Sequence, residues 1–170
     1  MINVRKARTI DTNDIHLLIG NIIEQLGNDK IESIGIDYIR DIIMSLGFVV
    51  VAYDSDLDNK IVGTTIVLYP AVGDKTNIGR TIGLKLPWQL NKVTDILIVA
   101  ALPEYNEDEL YGRMLQYCEN ITERPKYIMS AVLNKNEHLI SAFEARGFSI
   151  EGSRIDDEGR SQAIMCKKRA

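Results

Sequence analysis

The sequence predicts one α+β domain of three layers, helices packed on both sides of a single mixed sheet, over all of residues 1–170. Three observations predict it. Strand-like and helix-like stretches alternate along the chain. The run "TDILIVAAL" (94–102) is apolar on nearly every residue, the pattern of a strand covered on both faces. A helix and another strand follow it, and such a crossover makes the two strands parallel.

The elements follow in order. Residues 2–7 read as a short strand. Asp11 with an acid three positions on, Asp14, reads as a helix cap, and Ile15, Leu18, Ile19, Ile22 and Leu26 recur at helical spacing, so a helix is expected over about 12–26, ending at Gly27. A second stripe, Ile36, Ile39, Ile43 and Leu46, closes on Gly47, which is expected in the left-handed conformation of a helix end. "FVVVAYD" (48–54) and "IVGTTIVLY" (61–69) flank the polar turn "SDLDNK" and read as a β-hairpin, stopped by Pro70. Residues 71–92 are rich in glycine and have no sustained period. They are expected to be a long inserted loop with at most a short element of its own, and loops of that length are often functional. Beyond the strand at 94–102, Leu110, Met114, Cys118 and Ile121 mark one side of a helix over about 107–122, with Asn106 as its cap. "KYIMSAVLN" (126–134) is a strand, "NEHLISAFEARGF" (136–148) a helix ended by Gly147, and "FSIEGSRI" with "SQAIMCKKR" a second hairpin around "DDEG".

Composition narrows the function. With 45% apolar and 26% charged residues the chain is an ordinary globular protein, and a net charge of −4 argues against a nucleic-acid partner, which calls for a basic excess. No apolar run approaches the roughly 18 residues that span a bilayer, and "MINVRKARTIDTND" has no apolar secretion core, so no membrane partner and a cytoplasmic location are expected. Cys118 and Cys166 have neither metal nor disulfide spacing and are expected as buried thiols.

This order of elements resembles the GNAT acyltransferase superfamily. "INVRKARTIDTNDIHLLI" is similar to that family's first strand and helix, with Arg5 and Asp14 at its landmarks, and "KIVGTTIVL" to its third strand, Gly63 included. "NEHLISAFEARGF" carries the most specific likeness, an Asn, an aliphatic helix, then Gly-Phe; Asn136, Gly147 and Phe148 fit it. The resemblance covers nearly the whole chain apart from 71–92. It implies a GNAT-like fold around a mixed, splayed sheet whose fourth and fifth strands part to admit acetyl-CoA or another acyl-CoA. Val99, Ala100 and Ala101 would then flank the pantetheine arm, Asn136 would support it from the other side, and backbone N–H groups at Glu109, Leu110, Tyr111 and Gly112 would hold the diphosphate. The acceptor would be an amine on a small molecule or a protein, and members of the family often pair as homodimers through the sheet end with the C-terminal hairpin.

The departures bear on activity. The family's phosphate loop needs a basic residue and small residues where the backbone nears the diphosphate. Registered on "PEY", this chain puts Glu109 and Tyr111 in the two small positions; shifted by three, Gly112 fills one and Met114 the other. Glu107, Asp108 and Glu109 repel an anion, yet they also make a good helix start. The basic residues Lys75, Arg80 and Lys85 of the loop are candidates to restore the missing positive charge. Phe143 stands beside the cofactor where the family often has a proton-donating tyrosine, and phenylalanine has no proton to give; Tyr111 is a substitute candidate acid. Asp95, at the start of the central strand, is the candidate base for an amine, where some relatives have a glutamate. His16, off the apolar stripe of its helix, is expected to face solvent, and His138 lies beside Asn136 in the helix on the cofactor side, with no functional role expected of it. Three readings stay open: an N-acyltransferase using acyl-CoA by direct attack, a catalytically inactive binding or regulatory module of the same fold, and an acyltransferase using another donor such as an acyl-carrier protein.

Overall fold

The structure, a computed structural model, describes residues 1–105 and 107–169. One seven-stranded sheet runs through the molecule. Strand β1 (Ile2–Lys6) precedes helix α1 (Thr12–Leu26) and helix α2 (Ile36–Asp41), which continues as a wider π-type turn over Ile42–Leu46. Strands β2 (Gly47–Asp54) and β3 (Lys60–Leu68) form the first hairpin. Within the 71–92 stretch lie a 3₁₀ turn (Ile78–Ile82) and a single turn α3 (Pro87–Leu90), two short elements where at most one was expected. After it come β4 (Val93–Ala101), α4 (Glu107–Ile121), β5 (Tyr127–Leu133), α5 (Glu137–Ala145), β6 (Ser149–Ile155) and β7 (Ser161–Lys168). The spatial order is β1-β2-β3-β4-β5-β7-β6, and β4 with β5 is the parallel pair. Helix α1 packs on α2 and against β3 and β4, and the π-type turn after α2 packs on β2 and β3, while α4 packs on α5 and on β1 to β4.

Two local expectations are corrected. Asp11 does not cap α1: its carboxylate takes a two-pronged bond from Arg5 (2.7 and 3.0 Å) and the Arg8 N–H (2.8 Å), closing a short 3₁₀ turn before the helix. The guanidinium offers two charge-assisted donors where a cap offers one neutral N–H, and it wins. Gly47 is extended, at φ 175°, not left-handed. Glycine is needed there because a Cβ would lie 2.0 Å from the carbonyl oxygen of Val67, across the start of the hairpin. The expected cap of α4, Asn106, lies outside the described residues.

The 71–92 stretch is packed rather than loose. Ile78, Leu84 and Leu90 are buried in a second small core with Val93, Met129, Ile164 and Cys166. The buried Asn77 side chain accepts from Gly79 N–H (2.9 Å) and donates to the Ala71 carbonyl (3.2 Å), so the loop's polar backbone is satisfied internally. Both cysteines are buried free thiols. Among the described residues no helix is long and apolar enough to cross a membrane.

Candidate functional site

The parallel pairing of β4 with β5 lasts three residues: Val93 with Tyr127, Thr94 with Ile128 and Asp95 with Met129. Beyond Asp95 the strands part. Two features accompany the parting. Ile66 and Val67 of β3 face Ile98 and Ile96 of β4, so Leu97 is a bulge with no partner in β3, and a bulge bends the strand that carries it. On the other arm, β5 from Ser130 onward pairs with β7 alone, and the Ser130 hydroxyl reaches back to the Ile96 carbonyl at 2.7 Å.

The opening is lined by Leu97, Ile98 and Val99 on one arm and by 130–133 with Asn136 and Leu139 on the other. Its free volume is only about 20 Å³. The segment 28–33, between α1 and α2, crosses it and is tied to the far arm at four points. Lys135 pairs with Asp29 (3.4 Å), Asn136 donates to the Lys30 carbonyl (3.1 Å), Arg160 donates to the Asn28 carbonyl, and Gln162 donates to Glu32. Asn136 is engaged at both ends of its amide, since its oxygen also caps α5 by accepting from Leu139 N–H at 3.2 Å.

At the foot of the opening Asp95 is 7% exposed and accepts no hydrogen bond among the described residues. Burial is the main cause that pushes its carboxyl up to about 7; Glu32 adds to the rise and Arg154 opposes it. It lines a larger cavity of about 570 Å³ on the helix α2 side, together with Tyr38, Leu68, Leu97 and Arg154. The 71–92 loop supplies one wall, and Lys75 and Arg80 lie there. Their expected role at the diphosphate is thereby corrected. Arg80 bonds the Asp74 and Val72 carbonyls of its own loop, and among the described residues no contact of Lys75, Arg80 or Lys85 reaches the start of α4.

The remaining sequence candidates fall in three places. Val99, Ala100 and Ala101 are buried along the end of β4, and Val99 faces the narrow opening. Leu110, Tyr111 and Phe143 belong to the main core; Phe143 is fully buried against Phe148, ring centres 4.9 Å apart, and neither aromatic lines either opening. Burial, with Glu107 and Asp108 beside it, pushes the Tyr111 hydroxyl far above its usual range. Glu109 and Gly112 lie toward solvent on the first turns of α4, and a Cβ at Gly112 would meet nothing. His16 is exposed; His138, also exposed, lies 3.8 Å from Asp108, so the starts of α4 and α5 face each other.

Sequence reasoning missed Glu32, Ser130, Arg154 and Gln162. Two of them left a trace: Ser130 and Gln162 are polar residues inside buried apolar strands, where a side chain must find a partner.

No family model and no curated protein matches the chain. Solved structures do. A mosquito arylalkylamine N-acetyltransferase like 5b superposes with a TM-score of 0.73 at 17% identity, over 99% of this chain and 100% of the other. A GNAT-family acetyltransferase from Streptococcus pneumoniae gives 0.70 at 14%, over the whole of both chains. A spermidine/spermine N-acetyltransferase from Vibrio cholerae gives 0.63 at 14%, over 98% and 93%.

The chain has the GNAT fold. In this GNAT fold the arms of the opening suit a slender acyl carrier such as acyl-CoA in kind, with apolar walls and parting backbones. The space between them does not suit it while 28–33 stays across. The start of α4, with Glu107, Asp108 and Glu109 in its first turn, fits a diphosphate poorly in charge.

Proposed function

We propose that this protein is a GNAT-type N-acyltransferase that moves an acetyl or other acyl group from acyl-CoA to an amine acceptor by direct attack. The observation that carries the reading is Asp95, a buried carboxyl without a hydrogen-bond partner among the described residues, at the point where β4 and β5 part and facing a cavity large enough for an acceptor. A carboxyl held near neutrality is matched to taking a proton from an amine. The amine nitrogen attacks the thioester carbonyl, the C–N bond forms and the C–S bond breaks. The amine's proton passes to Asp95, directly or through one water, and the thiolate takes its proton from solvent. Amine acceptors are named for solved structures of the same fold, an arylalkylamine in one and spermidine or spermine in another.

The test is calorimetry with acetyl-CoA, followed by an acetyl-transfer assay on a panel of amines with Asp95→Asn as control. Binding below millimolar and transfer lost in the variant are expected. No binding at millimolar acetyl-CoA overturns the reading. A second reading, a non-catalytic binding module, is favoured by the acidic start of α4 and by the segment lying across the opening. Transfer that disappears with Asp95→Asn excludes it.

A further inference from the structure

The cavity beyond Asp95 holds unpaired charge of both signs. Asp95 is in no ion pair among the described residues, and neither is Arg154, although the two line one cavity and sense each other's charge. Arg154 is not adrift. Its Nε donates to Gln162 at 2.7 Å, and Gln162, 1% exposed on β7, is anchored in turn by donating to Glu32. A buried glutamine with both ends engaged holds the guanidinium in one orientation. The two terminal nitrogens of Arg154 are left without a partner among the described residues, and these form the fork that grips a carboxylate by two parallel bonds.

Among the described residues no other carboxylate forms an ion pair with Arg154. At the rim, Asp74 and Asp157 stand against Lys75 and Arg80 and cancel in sign, while Asp156 is neutralised by Arg160 at 2.7 Å. Glu32 accepts from Gln162, and its charge, which Arg160 and Arg154 both sense, makes no ion pair with either among the described residues. Tyr38, Leu68 and Leu97 give apolar wall between the inner pair and the rim. The volume of about 570 Å³ lies within the range of small-molecule sites.

We propose that the acceptor is an amine that also carries a carboxylate, an amino-acid-type molecule, with its nitrogen at Asp95 and its carboxylate on the terminal nitrogens of Arg154. The assignment rests on the acyltransferase reading and names its acceptor class. A ligand with both charges satisfies the buried Asp95 and the half-buried Arg154 together, whereas a plain amine leaves the terminal nitrogens of the guanidinium to water.

The test pairs each of a set of α-amino acids with the amine that lacks its carboxylate. At least one amino acid is expected to show a kcat/KM ten or more times that of its partner. Arg154→Gln should erase the ratio through KM, and Arg154→Lys should restore part of it. Calorimetry of the same pairs without acyl donor supplies a second readout. Transfer to plain amines or diamines with no preference in any pair overturns the proposal and leaves the acyltransferase reading standing. Arg154-dependent binding of an amino acid by a protein that binds no acetyl-CoA overturns the acyltransferase reading and keeps the cavity assignment.

Discussion

The side-chain amide of Asn136 donates to the backbone carbonyl of Lys30 at 3.1 Å, tying the α1–α2 connection across the mouth of the β4–β5 opening. The arms of the sheet are therefore joined twice, by strand pairing at the foot and by this strap at the mouth. Asn136→Asp keeps the acceptor that caps α5 but removes the donor. The loss of one part-buried hydrogen bond, about 1 kcal/mol, should raise amide exchange in 28–33 roughly fivefold while the exchange of α5 stays put. Unaltered exchange in 28–33 would mean that the other three ties suffice.

Asp95 should make stability fall as pH rises. In the denatured chain it titrates near about 3.9, and in the folded chain near about 7. Between those values the folded chain keeps a proton that the denatured chain has lost. Raising the pH through that window removes on the order of 2–4 kcal/mol, at about 1.4 kcal/mol per unit at most, and outside the window this group contributes no slope. Asp95→Asn should match the parent near pH 4 and exceed it at pH 8 in denaturant titrations. Equal stabilities at pH 8 would contradict the raised value. In the parent, acyl transfer should climb through pH 7 as the base ionises.

Glu119 behaves in the opposite sense. Its carboxylate is fully buried yet holds Arg146 (2.8 Å), Lys167 (2.5 Å) and Arg169 (3.0 Å), tying α4 to the end of α5 and to the chain end at β7. Burial alone would raise its pKa, but the bonds from Lys167 and Arg146 outweigh it and the net shift is downward. Its contribution is thus complete above the ordinary glutamate range and is lost as pH falls through the lowered value. Glu119→Gln should cost about 2–3 kcal/mol, less than the roughly 3–5 kcal/mol of a broken pair in a dry interior, because the three cations can turn to water. Activity per folded molecule should be unchanged, and a loss below 1 kcal/mol in urea titration would deny the cluster its stabilising role.

How much of this was legible in the sequence depends on the range of the interaction. Helical stripes such as Ile15, Leu18, Ile19 and Ile22, and the apolar run of β4, are local periodicities, and the elements lie where those patterns place them. Asp95 was singled out by its place at the start of the central strand, where some members of the resembled family have a glutamate, while its burial beside the cavity comes from the fold. The strap and the Glu32–Gln162 bond join residues more than a hundred positions apart, and no spacing rule reaches that far, whereas Arg154 and Gln162 are cross-strand partners eight positions apart. Asp11 and Gly47 show the other limit: each has a familiar local role, and a neighbour brought in by folding, Arg5 or the Val67 carbonyl, gives it a different one.

Two glycines separate folding from binding. In Gly47→Ala the new methyl meets the Val67 backbone, which has no soft way to retreat, so a loss of about 3 kcal/mol or more is expected. In Gly112→Ala the methyl meets nothing, and the helix should gain about 0.5–1 kcal/mol. If the backbone at 112 approaches the donor's diphosphate, the same methyl should weaken acetyl-CoA binding about tenfold in calorimetry, despite a higher melting temperature. Unchanged affinity would place the phosphates elsewhere.

The acids at the start of α4 give the most direct test of donor binding. Glu107 and Asp108 sit in the first turn, where they favour the helix end but oppose a diphosphate. A like charge about 6 Å away costs roughly 0.7 kcal/mol in water. Removing both charges in Glu107→Gln/Asp108→Asn should therefore tighten acetyl-CoA about tenfold. The parent's affinity should also improve with added salt, which screens the repulsion, and the double variant's should improve less. The gain should come with a small loss of stability, since each acid is worth about 0.3–1 kcal/mol at a helix start and Asp108 also faces His138. An affinity indifferent to both substitutions and to salt would show that the diphosphate does not lie at this helix, and with it would go the assignment of Glu109, Leu110 and Gly112 to the donor.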